Sequence, residues 1–133
     1  MNKPFYLMNN GYYLNYEENC SSALKISNII CSEEKKHSWI FSGNKLQNNE
    51  TKGYLTKKYH GWTPDLSNIL LQNKHDYDIE IKSLEWKYLN EELTTTIDGI
   101  EYILCKSIDS HNIIIKRHNS DFYLLNTKWK QEY

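Results

Sequence analysis

One cadence recurs three times along the chain: a Tyr-Leu-type segment, an aromatic residue 18 to 31 positions later, and a further apolar segment a few residues beyond. Gly11-Tyr12-Tyr13-Leu14 leads to Trp39-Ile40-Phe41 and Leu46. Gly53-Tyr54-Leu55 leads to Trp86-Lys87-Tyr88 and Leu93, and Gly99 with Tyr102-Ile103-Leu104 leads to Phe122-Tyr123-Leu124. Trp39 to Trp86 and Leu46 to Leu93 each span 47 residues. A period of about 40 to 50 residues marks one supersecondary unit used several times, which constrains the fold before local propensities are consulted. The expected units are 5–48, 49–97 and 98–126, followed by a tail at 127–133.

At 133 residues the chain has the size of one domain and needs no disulfide staples to build a core. Its 39% hydrophobic and 25% charged residues exclude a disordered chain, and 11 tyrosines supply much of an unusual 14% aromatic share. The formal charge of -1 gives no global attraction to nucleic acid or anionic membranes. No signal-peptide core is visible at Met1-Asn2-Lys3-Pro4-Phe5-Tyr6, and no window approaches the ~18 apolar residues of a membrane span. The expectation is a soluble, cytoplasmic protein. Cys20, Cys31 and Cys105 lack C-x-x-C spacing and read as reduced, mostly buried thiols, with a Cys20 to Cys31 bridge as the alternative.

Apolar alternation predicts twelve short strands, at 5–8, 12–16, 23–27, 39–42, 45–48, 54–57, 69–72, 86–89, 93–97, 102–105, 113–116 and 122–126. Turn formers separate them: Asn9-Asn10-Gly11, Ser42-Gly43-Asn44, Lys52-Gly53, His60-Gly61, Asn90-Glu91, Asp98-Gly99 and Asp109-Ser110. No run of ten residues carries a helical period. The stretch 75–85 admits a short helix or an extended strand, and its alternation at Tyr77, Ile79 and Ile81 favours the extended form.

Twelve strands in three quasi-repeats resemble a β-trefoil of the ricin-B-type or fascin-like kind, and the resemblance covers the chain from Phe5 to about Asn126. It implies an all-β fold whose first strand closes against the last, because a closed barrel leaves no free edge. Trp39, Trp86 and Phe122 then occupy equivalent places and read as core, each contributing roughly 2 to 4 kcal/mol by burial. Sugar binding in the ricin-type family uses an Asp after the Tyr-Leu strand, an aromatic on the next strand and a late Asn-Gln pair. This chain has Asn15, Thr56 and Cys105 at the first of these positions, so Asn15, Tyr16, Asn48 and Asn49 form its nearest sugar-type set.

Two tryptophans fall outside the predicted repeat. Trp62 lies in Tyr59-His60-Gly61-Trp62-Thr63-Pro64-Asp65, a loop that mixes aromatics, a histidine and a carboxylate; Trp129 lies in the charged tail. Aromatic faces beside carboxylates hold sugars, and Tyr and Trp also anchor protein interfaces. Tyr59, His60, Trp62, Asp65 and Trp129 are therefore the candidate partner-binding residues. No nucleophile elbow, Walker, dinucleotide or zincin motif appears, so no catalytic residue, metal or cofactor is assigned. His111 and His118 flank 113–116 and, approaching across a hairpin, would make only a weak metal pair. Lys35-Lys36-His37, Lys57-Lys58, Lys116-Arg117-His118 and Lys128-Trp129-Lys130 make a phosphate-facing patch only if they converge. The favoured expectation is a non-catalytic module binding a protein partner; a ricin-B-like lectin comes second and an RNA- or ribosome-facing protein third.

Overall fold

Short alternating segments and two-residue turns give strands throughout. The computed structural model describes residues 3–18, 26–57, 66, 69–72, 84–119 and 121–133, and these carry thirteen strands and no helix. They are β1 (Tyr6–Asn9), β2 (Tyr12–Tyr16), β3 (Ile26–Ser32), β4 (Trp39–Ser42), β5 (Lys45–Asn48), β6 (Tyr54–Lys57) and β7 (Ile69–Gln72). There follow β8 (Trp86–Leu89), β9 (Glu92–Ile97), β10 (Ile100–Ser107), β11 (Ile113–Arg117), β12 (Leu125–Asn126) and β13 (Lys130–Glu132). Every pairing between them is antiparallel.

The register repeats three times. β2 with β3, β6 with β7 and β10 with β11 place Leu14 opposite Cys31, Leu55 opposite Leu71 and Leu104 opposite Ile115. β4 with β5, β8 with β9 and β13 with β1 place Ser42 opposite Lys45, Leu89 opposite Glu92 and Glu132 opposite Tyr6. Side chains on one strand face alternate with a period of two. Equivalent positions therefore bury together: Leu7, Leu46 and Leu93 form one set and Leu14, Leu55 and Leu104 another, all with no exposure.

A tryptophan locks each unit. The indole Nε1 of Trp39 donates to the Leu14 carbonyl at 3.0 Å, that of Trp86 to Leu55 at 3.1 Å and that of Trp129 to Leu104 at 3.0 Å. The backbone N–H groups of the same residues donate to the carbonyls of Phe5, Asn44 and Glu91, each at 2.7 Å, so Trp86 and Trp129 are tied to the preceding unit and Trp39 to the residue just before β1, the strand that pairs with β13. Each indole bond satisfies a polar group that burial would otherwise leave unpaired, and adds about 1 kcal/mol net to the burial of the ring.

These locks correct the expected repeat. The third tryptophan is Trp129, not Phe122, which is only half-buried. The tail at 127–133 is accordingly part of the fold, and its strand β13 pairs with β1, the closure of first strand on last that was expected, made by 130–132 and not by 122–126. β3 also ends later than the expected 23–27, at Ser32, and residues 23–25 lie outside the described residues. Ile29 and Cys31 point inward while Asn28 faces out, but the intervening Ile30 hides this alternation in the sequence. Residues 75–83 and the His60-Gly61 turn lie outside the described residues.

The turns behave as their chemistry requires. Asn10-Gly11 and Asp98-Gly99 both adopt positive φ, the backbone of two-residue hairpins that match strand twist. Asn90 and Glu91 do the same, at φ 53° and 63°, although the second carries a Cβ that this conformation disfavours. One hairpin departs from the common register: β9 and β10 continue past the Thr95 to Tyr102 pair through Thr96 with Glu101 and Ile97 with Ile100. The corresponding β1–β2 hairpin ends at Asn9 with Tyr12.

Candidate functional site

A first cleft, of ≈410 Å³, is lined by Asn15, Tyr16, Glu18, Glu34, Lys36 and His37 among others. It forms where residues 33–38 leave β3 and cross back to Trp39 without pairing to β2. Two side chains substitute for that missing pairing. Asn15 is 1% exposed; its Nδ2 donates to Ser32 Oγ at 2.8 Å and to the Glu34 carbonyl at 3.0 Å, while its Oδ1 accepts the His37 N–H. His37 is buried, stacks on Tyr16 with 3.8 Å between ring centroids, and accepts the Tyr16 backbone N–H at Nδ1. That acceptor role assigns the ring proton to Nε2, which faces Glu18 Oε1 at 3.3 Å. The hydrogen bond from His37, followed by one from Lys36, holds the Glu18 carboxyl below the usual glutamate range.

The other half of the predicted sugar set braces the same crossing from its far end. Asn48 has no exposure; its Nδ2 donates to the Ser38 carbonyl, and its Oδ1 accepts the Glu50 and Thr51 N–H groups. The Asn49 N–H also donates to Ser38. The amides of Asn15 and Asn48 are thus committed to the fold and are not presented to a ligand, a correction of the sugar-binding assignment for those two residues. Tyr16 and Asn49 are half-buried, with one face of the Tyr16 ring taken by His37.

A second surface lies in the third unit. Lys106 is 3% exposed, and its ammonium donates to the carbonyls of Ser107 at 2.8 Å and Ser110 at 3.1 Å while sitting 4.5 Å from the Tyr12 ring centroid. The opposed partial charges of two carbonyls and a π face compensate a cation taken out of water. His111 packs on the same tyrosine, and its carbonyl accepts from Cys31 Sγ at 3.3 Å. The turn closed in this way places Ile108 at 55% exposure. The Ile108 N–H donates to the Leu124 carbonyl at 2.9 Å, so Ile108 adjoins a second tight turn carrying Tyr123 at 77% and Leu124 at 43% exposure. Leu124 adopts φ 62°, in the left-handed region.

A third region, of ≈610 Å³, lies beside the long β9–β10 hairpin and is lined by Gly99, Ile100, Glu101, Arg117, His118 and Asn119. His118 Nε2 stands 3.6 Å from Glu101 and 3.9 Å from Glu92, whose other oxygen meets Lys128 at 3.2 Å. His111 and His118 therefore sit in different environments, on Tyr12 and between two glutamates, and do not form the pair that their flanking of β11 predicted. Among the described residues no group of three or more His, Cys, Asp or Glu is placed to hold a metal ion. Lys35, Lys36 and Lys128 each face a carboxylate, on Glu132, Glu18 and Glu92.

Of the expected partner-binding residues, Tyr59, His60, Trp62 and Asp65 lie outside the described residues. Trp129 is corrected: with no exposure and its indole bonded to Leu104, it offers nothing to a partner. Cys31 and Cys105 are buried, their sulfurs donating to the carbonyls of His111 and Ile103, each at 3.3 Å, while Cys20, the other half of the alternative bridge, lies outside the described residues. Sequence reasoning missed the Ile108 and Leu124 surface. The signal it had was Ser107-Ile108-Asp109-Ser110, an isoleucine set in a run of turn formers, where burial has no strand face to use.

The chain matches no protein-family model, no curated protein and no solved structure. Among the described residues no helix is long and apolar enough to cross a membrane. The geometry of the three regions is therefore the basis of the functional reading.

Proposed function

We propose that this chain is a β-trefoil and a non-catalytic binding module whose partner is a protein, held at the Ile108, Tyr123 and Leu124 surface. The trefoil assignment is supported by the three tryptophan locks and their cyclic order. The observation that carries the functional reading is Leu124, a leucine both exposed and at φ 62°. Left-handed backbone costs a residue with a Cβ about 1 kcal/mol, and a leucine left 43% exposed recovers only part of what full burial would give. Selection for stability alone favours glycine there. Exposed aromatic and aliphatic side chains on an ordered turn are the usual anchors of a protein interface.

The test is capture from native lysate by the full chain, comparing the parent with Leu124→Gly and Tyr123→Ala. Leu124→Gly is expected to raise the unfolding midpoint while removing a captured protein that Tyr123→Ala also loses. A captured set identical across all three chains overturns the reading.

Carbohydrate binding is the second reading, favoured by the polar cleft beside Tyr16 and His37. Lys36 is its most accessible cation and is not part of the bracing around Asn15. Competable binding on a glycan array, lost on Lys36→Ala, would replace the first reading.

A further inference from the structure

We infer that the segment held at the Ile108 and Leu124 surface is a basic, apolar peptide stretch, and that Lys106 is the residue that positions the surface for it. The inference rests on the protein-binding reading above and adds the partner's chemistry. Within 107–112 and 121–126 the only acidic or basic side chains besides His111, which packs on Tyr12, are the exposed carboxylates Asp109 and Asp121. The lysine of β10, Lys106, turns its ammonium inward to two carbonyls and a ring, which leaves Asp109 and Asp121 as the formal charges that these two segments expose.

Three exposed apolar side chains flanked by two carboxylates complement apolar anchors flanked by lysine or arginine. A stable dimer interface takes about 800 Å² from each copy, some 20 residues, which this cluster does not supply. A short linear segment fits its size. The Asp121 Oδ1 already accepts the Tyr123 N–H at 3.0 Å, so one of the two charges also fixes the turn that presents the anchor. Lys106 fixes the other turn by bonding the carbonyls at both of its ends.

The probes are three fluorescein-labelled nonapeptides with the same Leu and Phe anchors and either two Lys, two Gln or two Glu, titrated by anisotropy against the full chain. The lysine peptide is expected to bind about tenfold more tightly than the glutamate peptide at about 50 mM salt, with the difference shrinking at about 300 mM. Asp109→Asn with Asp121→Asn, which keeps the acceptor for Tyr123, is expected to weaken the lysine peptide about fivefold and leave the glutamine peptide unchanged. Lys106→Met, checked for an intact fold by circular dichroism, is expected to weaken all three peptides by the same factor, as a loss of positioning does. Equal binding of the three peptides, or a preference that survives removal of both aspartates, overturns this inference and leaves the protein-binding reading standing. Failure of every peptide to bind, together with capture insensitive to Leu124→Gly, overturns both.

Discussion

The indole N–H of Trp129 donates to the carbonyl of Leu104 across 25 residues, the same separation that joins Trp39 to Leu14. The matching bond from Trp86 to Leu55 spans 31 residues. One side chain thus fills the interior and caps a buried carbonyl at the same time. Trp129→Phe keeps most of the ring and strands the Leu104 oxygen, and is expected to cost about 1 to 3 kcal/mol in urea unfolding. Trp129→Ala is expected to cost about 3 to 5 kcal/mol. Truncation after Asn126, which removes both Trp129 and β13, should leave no cooperative transition by circular dichroism.

Glu91 holds φ 63° beside Asn90 and uses its carbonyl, not its side chain, to accept the Trp129 N–H. Glu91→Gly converts the turn to Asn-Gly and relieves the Cβ without touching that bond. The expected gain is about 0.5 to 1 kcal/mol, read as a higher urea midpoint at unchanged slope.

Glu18 bears on acid stability. Hydrogen bonds from His37 and then Lys36 lower its folded pKa beneath the ordinary value of 4.5. A lowered folded pKa contributes stability that is fully present above the unfolded value and is lost as pH falls through the folded one. Glu18→Gln should therefore lessen the decline in unfolding free energy below about pH 4.5. An identical acid decline in both chains would separate Glu18 from this bracing.

Removing His37 tests the crossing directly. His37→Ala removes the acceptor of the part-buried Tyr16 N–H and is expected to cost about 1 to 2 kcal/mol. Hydrogen exchange at Tyr16 should accelerate well beyond that at Leu14, whose partner across β3 is unaffected.

Burial pushes the Cys31 thiol up from its ordinary value, with the charge of Lys106 acting against that shift. At pH 8, alkylation mapped by mass spectrometry should find Cys31 labelled no faster than the native fold opens. Labelling of Cys31 in step with free thiol would contradict its burial.

Most of the strand inventory was legible in the residues. β2, β4, β5, β6, β7 and β8 have the bounds predicted for them, because Gly, Asn and Asp at the turns frame alternating segments too short to misread. The end of β3 was placed too early because three consecutive apolar residues, Ile29 to Cys31, carry no alternation, and β13 was missed because Lys130-Gln131-Glu132 has no apolar residue at all. The proposed site was less legible still. An exposed leucine and a buried one are the same letter, and Asn15 looked like a ligand group because nothing local reveals that Ser32, Glu34 and His37 consume its amide.

The sequence by itself determined an all-β chain with a threefold rhythm, because strand alternation and turn chemistry are local properties of a few neighbouring residues. Tertiary structure alone decided which aromatic completes the third unit and which lysine is buried. Those outcomes depend on contacts between residues as far apart as Tyr6 and Glu132, where burial and hydrogen bonding, not local preference, select the partner.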